Sequence, residues 1–199
     1  DAADRGDTAS QADLVKIQTA GKHLLGLIND ILDLSKIESG RMDIHLEDVD
    51  LGKLVSEVRV LVAPLMSKNT NTLEIDMPSD IGMMRFDMVK LKQSLINLLS
   101  NAAKYGRENG LGRVGGERVN GWAELHVWNE GQGVAPDQAD ELFRKFSRLQ
   151  PPGEQERGTG LGLFITREIV RKHGGDIRAE SEAGQWIDFV FRLPRPDVV

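Results

Sequence analysis

The chain contains no cysteine, which excludes a disulfide frame, thiolate chemistry and a cysteine zinc site. It also lacks an excess of positive charge. The formal net charge is -6 over 199 residues, whereas broad nucleic-acid binding requires a basic footprint, so no nucleic-acid partner is expected. No apolar run approaches the roughly 20 residues that span a bilayer, and Asp1 to Gln11 is polar, with none of the apolar core of a signal peptide. The chain is therefore expected to make no membrane contact, and its lack of cysteine fits a cytoplasmic setting. Internal repeats and low-complexity segments are absent as well. The chain opens on Asp1 rather than Met and is read as a piece of something longer. What is present is 40% hydrophobic and 28% charged, enough to pack a core in one compact domain with an appendage, or in two small domains.

From about Ser10 to Ser39 the pattern is that of one long helix. Ser10 is a candidate N-cap and Gly40 a terminator. Leu14, Ile17, Leu24, Ile28, Ile31 and Leu32 form its apolar stripe, with Leu24, Ile28, Ile31 and Ser35 at three-to-four spacing. A stripe this long suggests a bundle helix that needs partner helices, although packing on its own domain is the plainer alternative. Near Glu47 the pattern changes. Asp50 is placed to cap a helix through Leu51, Leu54, Val55, Val58 and Leu61, with Pro64 permitting at most a kinked continuation. Leu73 to Asp76 alternates as a strand, and Asp87 caps a helix through Leu91, Leu95, Leu98 and Leu99. Asn120-Gly121 signals a hairpin leading into Trp122 to Val127, with Ala123, Leu125 and Val127 on one face. A further helix spans about Gly162 to His173, closed by Gly174-Gly175. Ile177 to Glu182 and Ile187 to Leu193 make a last strand pair. The fold class is α+β, a two-layer α/β sandwich with a mixed, mostly antiparallel sheet.

Three patches carry chemistry. Asn97, Asn101 and Lys104 fall at helical spacings of four and three and share a face. Two neutral amide oxygens and one ammonium suit a hydrated magnesium ion and a phosphate, while a solvated helix face is the plainer reading. Asparagine is a poor helix-interior residue, so its double appearance favours function. In Asn129-Glu130-Gly131-Gln132-Gly133, two glycines follow a strand and allow a sharp turn or the close approach of a ligand; an ordinary β-turn would look the same. Gly158-Thr159-Gly160-Leu161-Gly162-Leu163 runs into a helix, where backbone N–H groups and the positive helix end favour phosphate. A dinucleotide fingerprint would need a preceding strand, and Gln150 to Glu154 is a loop. No Gly-Lys-Ser or Gly-Lys-Thr is present, which excludes a P-loop.

In this order, with Phe143 and Phe146 between the last two, the patches resemble the N, G1, F and G2 boxes of the ATP-binding domain of sensor histidine kinases. The resemblance implies that Asn101 holds magnesium. It implies that Asn97, Lys104, Tyr105, Asn129, Gly131, Gly133, Val134, Phe146, Arg148, Gly158, Thr159, Gly160, Leu161, Gly162 and Leu163 line ATP. The segment from about Val134 to Gly158 would be a lid, with Gln150 to Arg157 its mobile part. Residues 1–46 would hold only the second helix, about 10–40, of the dimerisation and phosphotransfer hairpin. Residues 47–199 would be the catalytic domain. The implied function is transfer of the ATP γ-phosphoryl group to a histidine outside this chain, for relay to a response-regulator receiver domain, in a homodimer joined through the N-terminal helix.

Two departures stand out. The G1 box usually opens with Asp, which accepts from the adenine amino group; Asn129 keeps a neutral acceptor, and a flipped amide would admit guanine. The acceptor histidine of the family is followed by an acid, but His23, His45, His126 and His173 are followed by Leu24, Leu46, Val127 and Gly174. No catalytic residue is therefore assigned within the chain. Related ATPases that hydrolyse ATP carry Glu where Asn97 stands, and an amide is a poor general base. A nucleotide-binding pseudokinase or interaction module is the alternative.

Overall fold

The computed structural model describes residues 2–79, 81–149 and 158–194, with side chains from residue 11 onward except at 12 and 23. The chain divides into two units, Asp1–Met42 and Asp43–Val199. The first is a single helix, α1 (Ala2–Glu38). It starts well ahead of Ser10, which is thus interior rather than a cap. The alanines Ala2, Ala3 and Ala9 favour helix strongly enough to carry it through Gly6. The far end matches the expected terminator: Gly40 is left-handed at φ +69, and the Gly40 and Arg41 amides return to the Ile37 and Lys36 carbonyls at 3.0 and 2.9 Å. Leu14, Ile17, Leu24, Ile28 and Ile31 are exposed along it.

The second unit runs β1 (Glu47–Asp50), α2 (Leu51–Lys68), β2 (Thr72–Asp76), β3 (Met83–Phe86), α3 (Met88–Tyr105), β4 (Leu111–Val119), β5 (Trp122–Glu130), a 3-10 helix (Pro136–Phe143), α4 (Gly162–Lys172), β6 (Asp176–Glu182) and β7 (Trp186–Pro194). Five strands form one sheet in the order β2-β4-β5-β7-β6. Only β2 and β4 are parallel; the other pairs are antiparallel. The sheet is therefore mixed and mostly antiparallel, as expected. The short β1–β3 pair and the 3-10 helix have no counterpart in the sequence reading. Each is too short to show a period, and β1 pairs across a long stretch of chain, Glu47 with Phe86.

The period-2 pattern of β5 and β7 sorts the two faces of the sheet. Ala123, Leu125 and Val127, with Ile187, Phe189, Phe191 and Leu193, join one core with Leu54, Val58 and Val62 of α2 and Leu91, Leu95 and Leu98 of α3. The alternate positions, among them Trp122, Glu124, His126 and Trp128, lie on the face turned away from the helices. Trp186, opposite Glu130, shares that face. The Asn120-Gly121 turn has both residues left-handed, at φ 48 and 83, the geometry that joins two strands by two residues. Pro64 lies within α2, and the helix continues to Lys68.

Two aspartates start the helices. Asp50 accepts from the Lys53 amide, and Asp87 from the Lys90 amide, each at 3.0 Å. Asp87 also accepts from the His45 amide at 3.1 Å. Although burial works against its charge, these two N–H groups hold the Asp87 carboxyl below its ordinary value. The Asp87 backbone amide in turn donates to His173 Nε2 at 3.1 Å, and His173 Nδ1 donates to the Ile169 carbonyl at 2.7 Å. The imidazole stacks on Phe86 with centroids 3.6 Å apart. Both ring nitrogens are committed to the neutral form.

Burial lowers the His173 pKa from its ordinary 6.5. The unfolded chain therefore binds a proton that the folded chain refuses, so this contribution to stability falls as pH drops below 6.5 toward the folded value. His126 has the opposite sign. Its hydrogen bond to Asp188, 2.8 Å long, raises its pKa, so its contribution is complete below 6.5 and is lost as pH rises through the folded value. Denaturant unfolding from pH 8 to pH 5 should show His173→Gln flattening the acid limb and His126→Gln the alkaline limb; limbs unchanged in both variants would refute the linkage.

Candidate functional site

The site is built on α3. Its apolar face, Leu91, Leu95, Leu98, Leu99 and Ala102, is buried, which turns Asn97, Asn101 and Lys104 to the half-exposed side. Asn97 Nδ2 donates to Thr166 Oγ1 on α4 at 3.0 Å. Lys104 Nζ donates to Tyr105 Oη at 2.8 Å and lies 4.5 Å from the centre of that ring.

The Gly158–Gly162 loop meets α3 at both ends. A Cβ added to Gly158 would stand 3.7 Å from Lys104 Nζ, and one added to Gly162 would overlap the Asn97 side-chain amide. At its middle, Gly160 is left-handed at φ +69 and packs on the backbone of Phe146 and Ser147, whose atoms would lie 2.8 to 2.9 Å from an added Cβ. Phe146 is itself left-handed at φ 60 and 64% exposed, an uncommon state for a bulky residue. The Arg148 guanidinium donates to the Gly158 carbonyl. Thr159 Oγ1 accepts from the buried Leu161 amide at 3.2 Å. Unlike α2 and α3, α4 has no side-chain cap among the described residues, so its first-turn amides are placed to meet an anion. Leu163, partly buried, packs against the core.

The Asn129 region closes the other side. Gly131 bridges Gly106, immediately after α3, and the Arg107 amide donates to the Glu130 carbonyl at 2.9 Å. A side chain at Gly131 would overlap the Tyr105 carbonyl. Asn129 is 4% exposed, and its Nδ2 donates to the Glu130 carbonyl at 3.0 Å. That bond leaves Oδ1 as the atom to accept from a base. At Gly133, φ +54, the close approach is to the chain itself: a Cβ would meet Ser181 Oγ and the Glu182 and Trp186 carbonyls. The Val134 amide donates to Ser181 Oγ at 2.8 Å, so Val134 is anchored to the β6–β7 end. The expected mobile part of the lid, Gln150 to Arg157, lies outside the described residues.

The Gly158–Gly162 loop and the Asn129–Gly131 turn thus meet α3, and Phe146 and Arg148 join them through the loop. The donor set fits a triphosphate with a hard cation: Lys104 and Arg148 for phosphate oxygens, an uncapped helix start, and the neutral oxygen of Asn101 for a magnesium ion that keeps its waters. The match to the histidine kinase-, DNA gyrase B-, and HSP90-like ATPase family covers residues 86–197. The chain belongs to this family. Relatives that it matches at 30% identity or more include proteins named as histidine kinases. The chain is 34% identical over 196 residues to the circadian input-output histidine kinase CikA of Synechococcus elongatus, covering 96% of this chain and 26% of that protein. With the histidine protein kinase DivJ of Caulobacter vibrioides it shares 33% identity over 179 residues, 89% of this chain and 30% of the relative. The crystal structure of full-length ShkA in complex with AMPPNP superposes with a TM-score of 0.82 at 27% identity, covering 93% of this chain and 38% of that one. The chain thus spans about a quarter to a third of the length of these curated relatives.

Sequence reasoning did not single out Thr166 or Arg167. Arg167 lies 5.5 Å from the centre of the buried Phe143 ring, and burial lowers its pKa. Neither residue belongs to a spacing pattern, so only the packing of α4 reveals them. Histidine spacing also hid a surface group, Glu117, Glu124 and His126, with ligand atoms within 4.8 Å of one another. Glu124 there faces Arg178 at 3.1 Å and Arg192 at 3.7 Å, a setting that favours ion pairing over a cation. None of the described helices is long and apolar enough to cross a membrane.

Gly160→Ala should destabilise the domain more than Gly184→Ala. Both glycines are left-handed, but Gly184 has no atom within 4 Å of an added Cβ. The left-handed penalty alone is about 1–2 kcal/mol, and Gly160→Ala adds the overlap with Phe146. Equal losses in denaturant melts of the two variants would contradict the seat described for the loop.

Proposed function

We propose that the chain binds Mg-ATP between α3, the start of α4 and the Asn129 turn, and passes the γ-phosphoryl group to a histidine outside the chain. The observation that carries this is the seating of one glycine loop at both of its ends on Asn97 and Lys104. In the step itself, an imidazole nitrogen lone pair attacks the γ-phosphorus. The bond to the bridging oxygen breaks, ADP leaves with that electron pair, and the imidazole proton passes to solvent. Phosphoryl transfer of this kind is catalysed by positioning and charge neutralisation. Lys104, Arg148 and the first-turn amides of α4 would hold the phosphates. Asn101 would hold magnesium, which when bound neutralises charge on the phosphate oxygens. Asn129 Oδ1 would accept from the adenine amino group. Tyr105 would border the nucleotide, and Phe146 would stand at the rim below the lid.

His173 is buried and neutral, with both nitrogens bonded, and His126 is held by Asp188. Neither is placed as a phosphate acceptor, which agrees with an acceptor elsewhere. In the complete protein, the exposed stripe of α1 would pair with other bundle helices in a homodimer, and the phosphoryl group would pass to an aspartate of a response-regulator receiver domain. A cytoplasmic setting belongs to the same reading. Asn129 supports a second reading, a nucleotide-binding module with slow transfer, because an amide accepts more weakly than a carboxylate.

Asn101→Ala should remove the magnesium-dependent part of ATP binding, a loss of at least about tenfold in affinity, with the melting profile retained. Titration calorimetry giving equal Mg-ATP affinity in variant and parent would withdraw magnesium from Asn101. ATP should also displace GTP with about a tenfold or greater preference, the equivalent of one well-made hydrogen bond. Equal competition by GTP would mean that the Asn129 amide turns over.

A further inference from the structure

The buried joint between the start of α3 and the end of α4 has a polarity with no alternative. The Asp87 backbone amide can only donate, and the Ile169 carbonyl can only accept. Between them, at 3.1 and 2.7 Å, the His173 ring must carry its proton on Nδ1 and a lone pair on Nε2. A second proton has one place to go, Nε2, where it would point at the Asp87 N–H. Two donors facing each other at hydrogen-bond distance repel, so a protonated ring and a closed joint exclude one another. The ring has little room to turn aside, since it is stacked on Phe86 and only 9% exposed. Asp87 is the charged group that favours the proton, and burial opposes it more strongly. The Asp87 oxygens are already taken by the Lys90 and His45 amides. The other charges on the surrounding elements are turned elsewhere. Lys90 acts on Asp87, Arg171 faces Glu168 and Asp176, Arg192 faces Glu124, and Arg85, Lys172 and the His45 side chain are exposed.

What the joint sets is the spacing of two binding surfaces. From Gly162 to Lys172, α4 is 11 residues, about 16 Å, too short to bend much between its ends. Gly175 holds its far end on β7, so close to the Arg192 carbonyl that a side chain there would overlap it. Breaking the joint therefore releases the start of α3 from α4. Apolar packing between the helices has no direction of its own and does not restore the register. The phosphates of ATP need both sides, Lys104 on α3 and the first-turn amides of α4. We propose that His173 is a positioning residue for nucleotide binding: its unprotonated ring keeps α3 and α4 at the spacing that Mg-ATP bridges, so a proton on Nε2 and Mg-ATP compete for the domain. This rests on the function proposed above. Affinity is complete with the ring neutral and falls as pH drops through the folded value, which lies below the ordinary 6.5. By linkage, the nucleotide lowers the proton affinity of the ring by the same factor.

Histidine titration by NMR on the full chain, free and saturated with Mg-AMPPNP, reads the competition directly. The His173 midpoint should move to lower pH on binding, by at least about 0.7 pH, which is a fivefold coupling. His126, on the outer face of the sheet, should not move with it. Calorimetry gives the reciprocal measurement. Mg-AMPPNP affinity of the parent, divided by that of His173→Gln at the same pH, should fall through the His173 midpoint, by at most about tenfold per pH unit for one proton. Gln offers an acceptor near the Nε2 position and does not titrate, and protonation of the nucleotide cancels in the ratio. His173→Phe keeps the stack but not the acceptor, and should bind about fivefold to a hundredfold more weakly even at pH 8. Three results would overturn the proposal: a His173 midpoint that is the same with and without bound nucleotide, a ring that stays neutral until the fold is lost, or a folded His173→Phe chain with parental affinity at pH 8. If neither variant folds, the NMR titration decides alone, because it uses the parent. A parent that gives no binding heat with Mg-AMPPNP at pH 8 would bring down the function itself, and this proposal with it.

Discussion

The positions of α3 and α4 relative to each other are what the site depends on, and one buried junction at their far ends sets them. Asp87 starts α3, and its backbone amide is bound by His173 at the end of α4. The imidazole is wedged flat against Phe86, the last residue of β3. A buried amide without an acceptor costs about 1–3 kcal/mol, so the ring cannot leave without a replacement. From this junction α3 carries Asn97, Asn101 and Lys104 toward the opening, and α4 carries Gly162 and Thr166 to meet them. The Asn97–Thr166 bond closes the second point of contact between the same two helices. Two polar contacts set well apart along a helix pair fix both spacing and rotation, which apolar packing between them does not do alone.

How much of this is legible in the sequence depends on whether a residue's partner is local. Asp50 and Asp87 could be read as caps because the amides they bind lie three residues on. The sandwich class followed from β5 and the last strand pair, whose alternation is sharp. The three patches and the phenylalanine pair could be grouped only because their order resembles a known family; nothing in their spacing says that Gly131 meets Gly106 or that Gly160 rests on Phe146. The glycines show the limit well. From sequence, Gly133 reads as a place where a ligand comes close, and in the fold the neighbour is the β6–β7 end of the same sheet. β1 and β3 were invisible because four residues carry no usable period and their pairing spans α2. The start of α1 was placed late because Ser10 is a good cap only when the preceding turn is not itself a helix former.

The division of labour between the two asparagines of α3 follows from the same geometry. Asn97 is engaged by a neighbouring helix. Asn101, one turn on, makes no side-chain hydrogen bond among the described residues, and under the proposed function its amide is the one left for a ligand. Equal spacing on a helix makes them look equivalent in sequence, but burial and partners separate them.

The distribution of aromatic side chains has an optical consequence. The single tyrosine, Tyr105, stands at the site beside Lys104, while Trp122, Trp128 and Trp186 all lie on the sheet face turned away from the helices. Indole emission from this domain therefore monitors the outer surface of the sheet, and with it global unfolding. The lone phenol stands instead at the end of α3, against Lys104, so its absorbance reports on that end of the helix without any label.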